Sequence, residues 1–125
     1  MKEVTLFPSA ARALQQTYSS DVQDNIQHRG VIVTLAVSAV TSTPSLVLTI
    51  EYYDYASGTW VVLLTAIAVT TAVTTSYIVY PGVGAADAAG VLKTIGYPLP
   101  KTWRVSVAHA NTNSATYSVG ACMID

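Results

Sequence analysis

The sequence predicts an all-β fold: an antiparallel β-sandwich, jelly-roll or immunoglobulin-like, of about seven to eight strands. Three observations carry this expectation. Apolar residues alternate with Thr, Ser and other small residues over several runs, the period of a strand rather than a helix. Turn residues fall at short intervals between those runs. Several runs are apolar on both of their alternating faces, which suits two packed sheets better than one sheet with a wet side.

Taken in order, residues 4–7 read as a short strand stopped by Pro8. Residues 11–17 read as a second strand, although their Ala, Leu and Gln content also permits a helical turn. Residues 18–27, with Ser19, Ser20, Asp21, Asp24 and Asn25, read as a surface loop. Residues 1–27 are thus expected as an N-terminal arm or a first hairpin, and residues 28–125 as the sandwich domain. In residues 31–40, Val31, Val33, Leu35, Val37 and Ala39 share one face, while Ile32, Thr34, Ala36 and Ser38 share the other. A turn over residues 41–45 leads to residues 46–53, where Leu46, Leu48, Ile50 and Tyr52 alternate with Val47, Thr49, Glu51 and Tyr53.

The run Asp54-Tyr55-Ala56-Ser57-Gly58 is a hairpin signal, since Asp54 caps the turn through its side chain and Gly58 supplies a positive φ. Residues 60–68 return as the partner strand. A bend within residues 69–75 precedes a strand over residues 76–80, closed by Pro81-Gly82. Residues 84–100 are the least regular stretch, small-residue rich (Ala85, Ala86, Ala88, Ala89, Gly90) and then carrying Gly96, Pro98 and Pro100; they read as a long loop. Residues 103–110 and 115–123, joined by Asn111-Thr112-Asn113-Ser114, supply the last two strands. Thr34, Thr49, Thr65, Thr70, Thr71, Thr74 and Thr75 fit exposed strand faces, which threonine covers without charge.

Composition narrows the function. Hydrophobic residues make up 51% of the 125 and charged residues only 10%, against about 25% in ordinary soluble domains. A surface this poor in charge is expected to be covered in part by partners, including further copies of the chain. The net charge of −1, with six Lys and Arg dispersed along the chain, supplies no footprint for nucleic acid or an anionic membrane. The apolar stretches 30–50 and 60–73 are rich in Val, Thr and Ile. The first is interrupted by Pro44 and the second is shorter than the roughly 20 residues of a helical span; neither is read as crossing a membrane. The start of the chain lacks the apolar core of a signal peptide, so a cytoplasm-like compartment is expected. The lone Cys122 excludes an intrachain disulfide and reads as a buried structural thiol.

Chemistry-bearing residues are scarce. His28 and His109 are far apart and lack Cys, Asp or Glu at metal-ligand spacing; both read as surface or turn histidines. Glu51 and Asp54 flank the hairpin, but an offset of three places them on opposite faces of a strand, unlike the paired carboxylates of a hydrolase. Pro81-Gly82-Val83-Gly84 has neither the lysine nor the helix of a phosphate-binding loop and reads as a turn. No catalytic residue, cofactor or metal is expected. The remaining candidates are aromatic. Tyr52, Tyr53, Tyr55 and Trp60 crowd the hairpin; Tyr52 and Trp60 are expected as a cross-strand core pair, leaving Tyr53 and Tyr55 as the partner-contact candidates. Trp103, beside Lys101 and Arg104, reads as a core tryptophan.

Several segments together resemble a family of small tailed-bacteriophage structural proteins found among head genes. They are Pro8-Ser9-Ala10-Ala11-Arg12, Arg29-Gly30-Val31-Ile32-Val33, residues 54–60, Tyr80-Pro81-Gly82, Leu99-Pro100-Lys101-Thr102-Trp103-Arg104-Val105 and Ser114-Ala115-Thr116-Tyr117-Ser118-Val119-Gly120-Ala121. They cover most of the chain in order. The resemblance implies a virion protein, a head decoration (cement) protein that binds the capsid exterior. Such proteins are typically β-rich, often homotrimeric, and clamp adjacent copies of the major capsid protein; assembly would take place in the bacterial host cytoplasm. A tail, neck or fibre component with a protein- or carbohydrate-binding face is the alternative, with Tyr53, Tyr55 and the Ala-rich stretch within residues 84–100 as the place to look. A β-sandwich adhesion module outside phage is a third reading.

Overall fold

A computed structural model describes residues 1–88 and 92–125. The described chain is all-β, with eleven strands and no helix. They are β1 (Lys2–Arg12), β2 (Thr17–Ser19), β3 (Gln23–Asp24), β4 (Gly30–Val40), β5 (Leu46–Asp54), β6 (Thr59–Thr65), β7 (Thr74–Val79), β8 (Ala86–Ala88), β9 (Leu92–Ile95), β10 (Thr102–His109) and β11 (Ala115–Ile124).

Two sheets form the sandwich. One runs β1-β11-β4-β7-β9-β8; the other runs β2-β10-β5-β6, with β3 also on β10. The pairs β1·β11, β2·β10, β4·β7 and β5·β6 are all antiparallel. If β2 and β3 count as one broken strand, and the appended β8 and β9 are set aside, these are nested partners of one long ribbon: first with last, second with seventh, third with sixth, fourth with fifth. Successive pairs alternate between the two sheets, which is the jelly-roll plan. The tip of the ribbon is the turn between β5 and β6.

The core lies between the sheets. Val31, Val33, Leu35, Tyr77, Val79, Tyr117, Val119 and Met123 face inward from one sheet, and Leu46, Leu48, Ile50, Leu64, Trp103, Val105 and Val107 from the other; all are buried. Trp103 is fully buried, as expected for a core tryptophan at the start of β10. The inward faces are the ones alternation picks out in β5 and in β4 as far as Val37, because a period of two leaves one set of side chains to bury. Beyond Val37 the register against β11 shifts by one residue, so Ala39, expected inward, is exposed.

The strand count exceeds the expected seven or eight for two reasons. Tyr18 and Gln23 lie in a segment expected as loop, yet β2 and β3 form there because β10 presents an edge that captures short extended pieces. Residues 84–100 are more ordered than a loop: β9 pairs parallel to β7, and β8 pairs antiparallel to β9. Ala89, Gly90 and Val91 of that stretch lie outside the described residues.

Pro8 does not stop β1. The strand lies at the sheet edge, where a missing N–H breaks no ladder, and its register against β11 shifts between Thr5 and Phe7 and again between Phe7 and Ala10. Those irregularities bury the adjacent Leu6 and Phe7 together. Residues 11–17 are correspondingly not a separate strand: Ala11 and Arg12 end β1, and β2 begins at Thr17. Residues 1–27 thus contribute β1 to one sheet and β2 and β3 to the other, and β1 and β2 are not paired with each other. Thr75, expected on an exposed face, is 3% exposed.

Candidate functional site

The hairpin at the ribbon tip forms as its residues require. Gly58 has φ of 70° and its N–H donates to the Asp54 carbonyl at 2.9 Å. The Asp54 carboxylate accepts from the Ser57 hydroxyl at 2.7 Å and from the Ser57 N–H at 3.3 Å. These bonds hold the Asp54 carboxyl below its usual pKa range, the hydroxyl bond contributing most,.

The aromatic residues then sort differently from the expectation. Tyr52 is inward, paired with Trp103 and Val61. Trp60 is not its core partner; it pairs with Tyr53 on the outer face. The cause is a bulge. Ile50 pairs with Leu64 and Glu51 with Val62, so Leu63 is an extra residue in β6. One inserted residue reverses the facing of everything beyond it. Leu64 stays buried while Val62 and Trp60, which strict alternation would place beside it, turn outward.

On that outer face Tyr53 stands edge-on to Trp60 at 5.2 Å and to Tyr55 at 4.9 Å between ring centres. The Arg104 guanidinium covers the Trp60 ring at 4.2 Å while Arg104 Nε donates to Glu51 Oε1 at 3.2 Å. The same oxygen accepts from the Ser106 hydroxyl at 2.6 Å. Because Ser106 gives its proton to Glu51, Ser19 donates to Ser106 across 3.0 Å,. Tyr55 is 74% exposed, and its hydroxyl is hydrogen-bonded to Thr102 Oγ1 at 2.9 Å. The two sequence candidates are therefore brought together. Tyr53 is the half-buried centre of the cluster and Tyr55 its exposed rim. Trp60 and Arg104 are the members that sequence reasoning left out.

This platform runs into an open sheet edge. Among the described residues β6 pairs with β5 alone, and its outer face shows Val62, 51% exposed. Its seven residues include no charge, proline or glycine. The other edges are guarded in the ways sheets ordinarily use: β1 carries Lys2, Glu3, Pro8 and Arg12 with two register shifts, whereas β2, β3 and β8 are three residues or fewer. At the end of β6, Lys93 Nζ donates to the Thr65 carbonyl at 2.5 Å.

Elsewhere the residues weighed for chemistry take structural places. His28, expected at the surface, has a side chain only 7% exposed and lies 2.8 Å from Asp125; this hydrogen bond is the main cause that lowers the Asp125 pKa. His109, also expected at the surface, is 5% exposed, because it ends β10 on the inward face. Cys122 is half-buried and faces outward rather than into the core, paired with Glu3 on one side and Ile32 on the other. Among the described residues no group of three or more His, Cys, Asp or Glu is placed to hold a metal ion, and no helix is long and apolar enough to cross a membrane.

Comparison with known protein families, curated proteins and solved structures finds no match to this chain.

Proposed function

We propose that the chain is a non-enzymatic structural protein of a tailed-phage virion that binds the outer surface of the capsid and stabilises it, acting as a homo-oligomer on the major capsid protein. The observation that carries the binding role is the β6 edge, unpaired by any strand among the described residues and continuous with the Tyr53–Trp60–Arg104 platform. A long uncharged edge attracts further strands, and natural sheets keep such an edge only under cover. Aromatic residues and arginine are also the side chains that dominate protein–protein contacts. The virion and the preference for a trimer rest on the resemblance of the ordered segments. The jelly-roll plan agrees with that setting, though it serves lectin domains as well as viral shells.

The mechanism is linkage. A protein that binds only the assembled lattice lowers the free energy of that state, and several attachment points on one oligomer multiply the effect. The test mixes purified chain with expanded, DNA-free capsids of the phage that encodes it. Co-sedimentation together with a raised capsid melting temperature supports the reading, and the absence of both overturns it.

A tail, neck or fibre role with a carbohydrate-binding face is favoured by one observation, the exposed Tyr55 ring. Sugar stacking needs a free ring face. Trp60 has one face under Arg104 and Tyr53 at its side, which leaves Tyr55 as the available platform. Glycan-array binding that disappears in Tyr55→Ala would establish this second role in place of the first.

A further inference from the structure

At the end of the sandwich away from the ribbon tip, one cluster fastens the crossing from the first sheet to the second. His109 is 5% exposed, and its N–H donates to the Gln16 carbonyl at 2.9 Å. Its Nε2 is hydrogen-bonded to the Tyr117 hydroxyl at 2.7 Å. Nδ1 is buried and has no hydrogen-bond partner among the described residues. Tyr18 of β2 stands edge-on to the imidazole at 5.0 Å. Beyond Tyr117, the Arg12 guanidinium lies 4.5 Å from the Tyr117 ring centre, donates to the Tyr117 carbonyl at 2.8 Å, and reaches back to the Pro8 carbonyl at 2.8 Å.

The titratable and charged groups around the imidazole are thus Tyr117 from β11, Tyr18 from β2 and Arg12 from β1. From β5, the residue paired with His109 is Leu46, which does not titrate. None of these is an acid that would welcome a proton on His109. Burial, and secondarily the like charge of Arg12, hold the imidazole below its usual pKa,. Protonation would make both ring nitrogens donors and leave Nδ1–H as a charged group with nothing to accept it. Opening the site to water relieves that cost. The element able to open at least expense is β2, three residues long and, among the described residues, paired to β10 alone,.

We propose that His109 is an acid-operated latch: protonating it releases β2 and the connection over residues 13–16 from β10 while the two main sheets stay folded. The freed edge of β10, from Ser106 to Ala108, would then be open to another strand.

Amide hydrogen exchange on the full chain at about pH 7.5 and about pH 5, corrected for intrinsic rates, tests this. Protection of Thr17–Ser19 should fall about tenfold or more at the lower pH, with β4, β5 and β11 unchanged. In His109→Gln that pH difference should vanish, whatever the absolute protection; its persistence would assign the effect to a group other than His109 and overturn the latch. Equal protection at both pH values, or a loss spread over both sheets, would also overturn it. Should His109→Gln fail to fold, the imidazole resonances of the unsubstituted chain decide. Titration of His109 below the ordinary histidine range, in step with β2 exchange, supports the latch, and titration at or above that range refutes it.

Discussion

Arg104 lies over the face of Trp60 on the outer side of the sandwich, the guanidinium carbon 4.2 Å from the ring centre. The contact joins β10 to β6 across the intervening β5, whose Glu51 holds Arg104 in place from the same side. A partly exposed cation–π pair contributes about 0.5–1 kcal/mol. A double-mutant cycle of Arg104→Ala and Trp60→Leu, followed by urea unfolding, should return a coupling energy in that range. A coupling near zero would mean that the two residues contribute to stability independently.

Tyr117 lowers stability as pH rises into the alkaline range. Burial raises its pKa to about 12, with the Arg12 charge opposing the shift. A phenol in the unfolded chain ionises near 10. The folded state therefore resists losing a proton that the unfolded state gives up readily, so this contribution is fully present below pH 10 and is lost as pH rises from 10 toward 12. Two pKa units correspond to about 2–3 kcal/mol. In Tyr117→Phe the stability curve between about pH 10 and 12 should be flatter by roughly that amount, at the expense of the His109 hydrogen bond at lower pH.

Two glycines separate a packing requirement from an incidental one. A Cβ on Gly30 would lie 2.3 Å from the Val79 carbonyl oxygen and 2.5 Å from the Tyr80 ring, and a backbone atom in a paired strand cannot give way cheaply. Gly30→Ala should destabilise by about 2–3 kcal/mol. Gly84 has open space around the same position, so Gly84→Ala should stay within about 0.5 kcal/mol of the original protein. Chemical denaturation of the two variants side by side checks both expectations.

How legible these arrangements are in the sequence depends on whether the period of two survives. In β5, β10 and β11, and in β4 as far as Val37, it does, and the inward faces follow directly from alternation; past Val37 an extra residue in β4 turns Ala39 outward. It fails wherever a residue is inserted. Leu63 in β6 hides the outward turn of Trp60, because a bulge leaves no mark in a run of uniformly apolar residues. The shifts in β1 likewise conceal that Leu6 and Phe7 are buried together, and that a proline can sit within an edge strand. His109 illustrates a different limit. Its burial follows from its parity with Trp103, Val105 and Val107 in β10, but Tyr117 meets it across the core from the other sheet, and Tyr18 and Arg12 come near only through the pairings β2·β10 and β1·β11. The platform was legible in Tyr53 and Tyr55 and illegible in Arg104, whose place beside Trp60 depends on the β10·β5·β6 order.

The β6 edge offers the sharpest separation of binding from folding. Val62 is 51% exposed on the outer face, so lysine there can extend its ammonium into water, and Val62→Lys should change monomer stability by no more than about 0.5 kcal/mol. A lysine on an edge strand nonetheless opposes docking of another strand, because the approaching chain must desolvate the charge. Capsid binding and self-association should weaken tenfold or more, about 1.4 kcal/mol. Val22→Lys, at a similarly exposed valine (56%) between β2 and β3, provides the control and should leave both unchanged. Sedimentation velocity measures self-association, co-sedimentation with capsids measures binding, and urea unfolding confirms that each variant is folded. Equal weakening by both lysines would point to net charge as the cause, whereas weakening by neither would remove β6 from the binding surface.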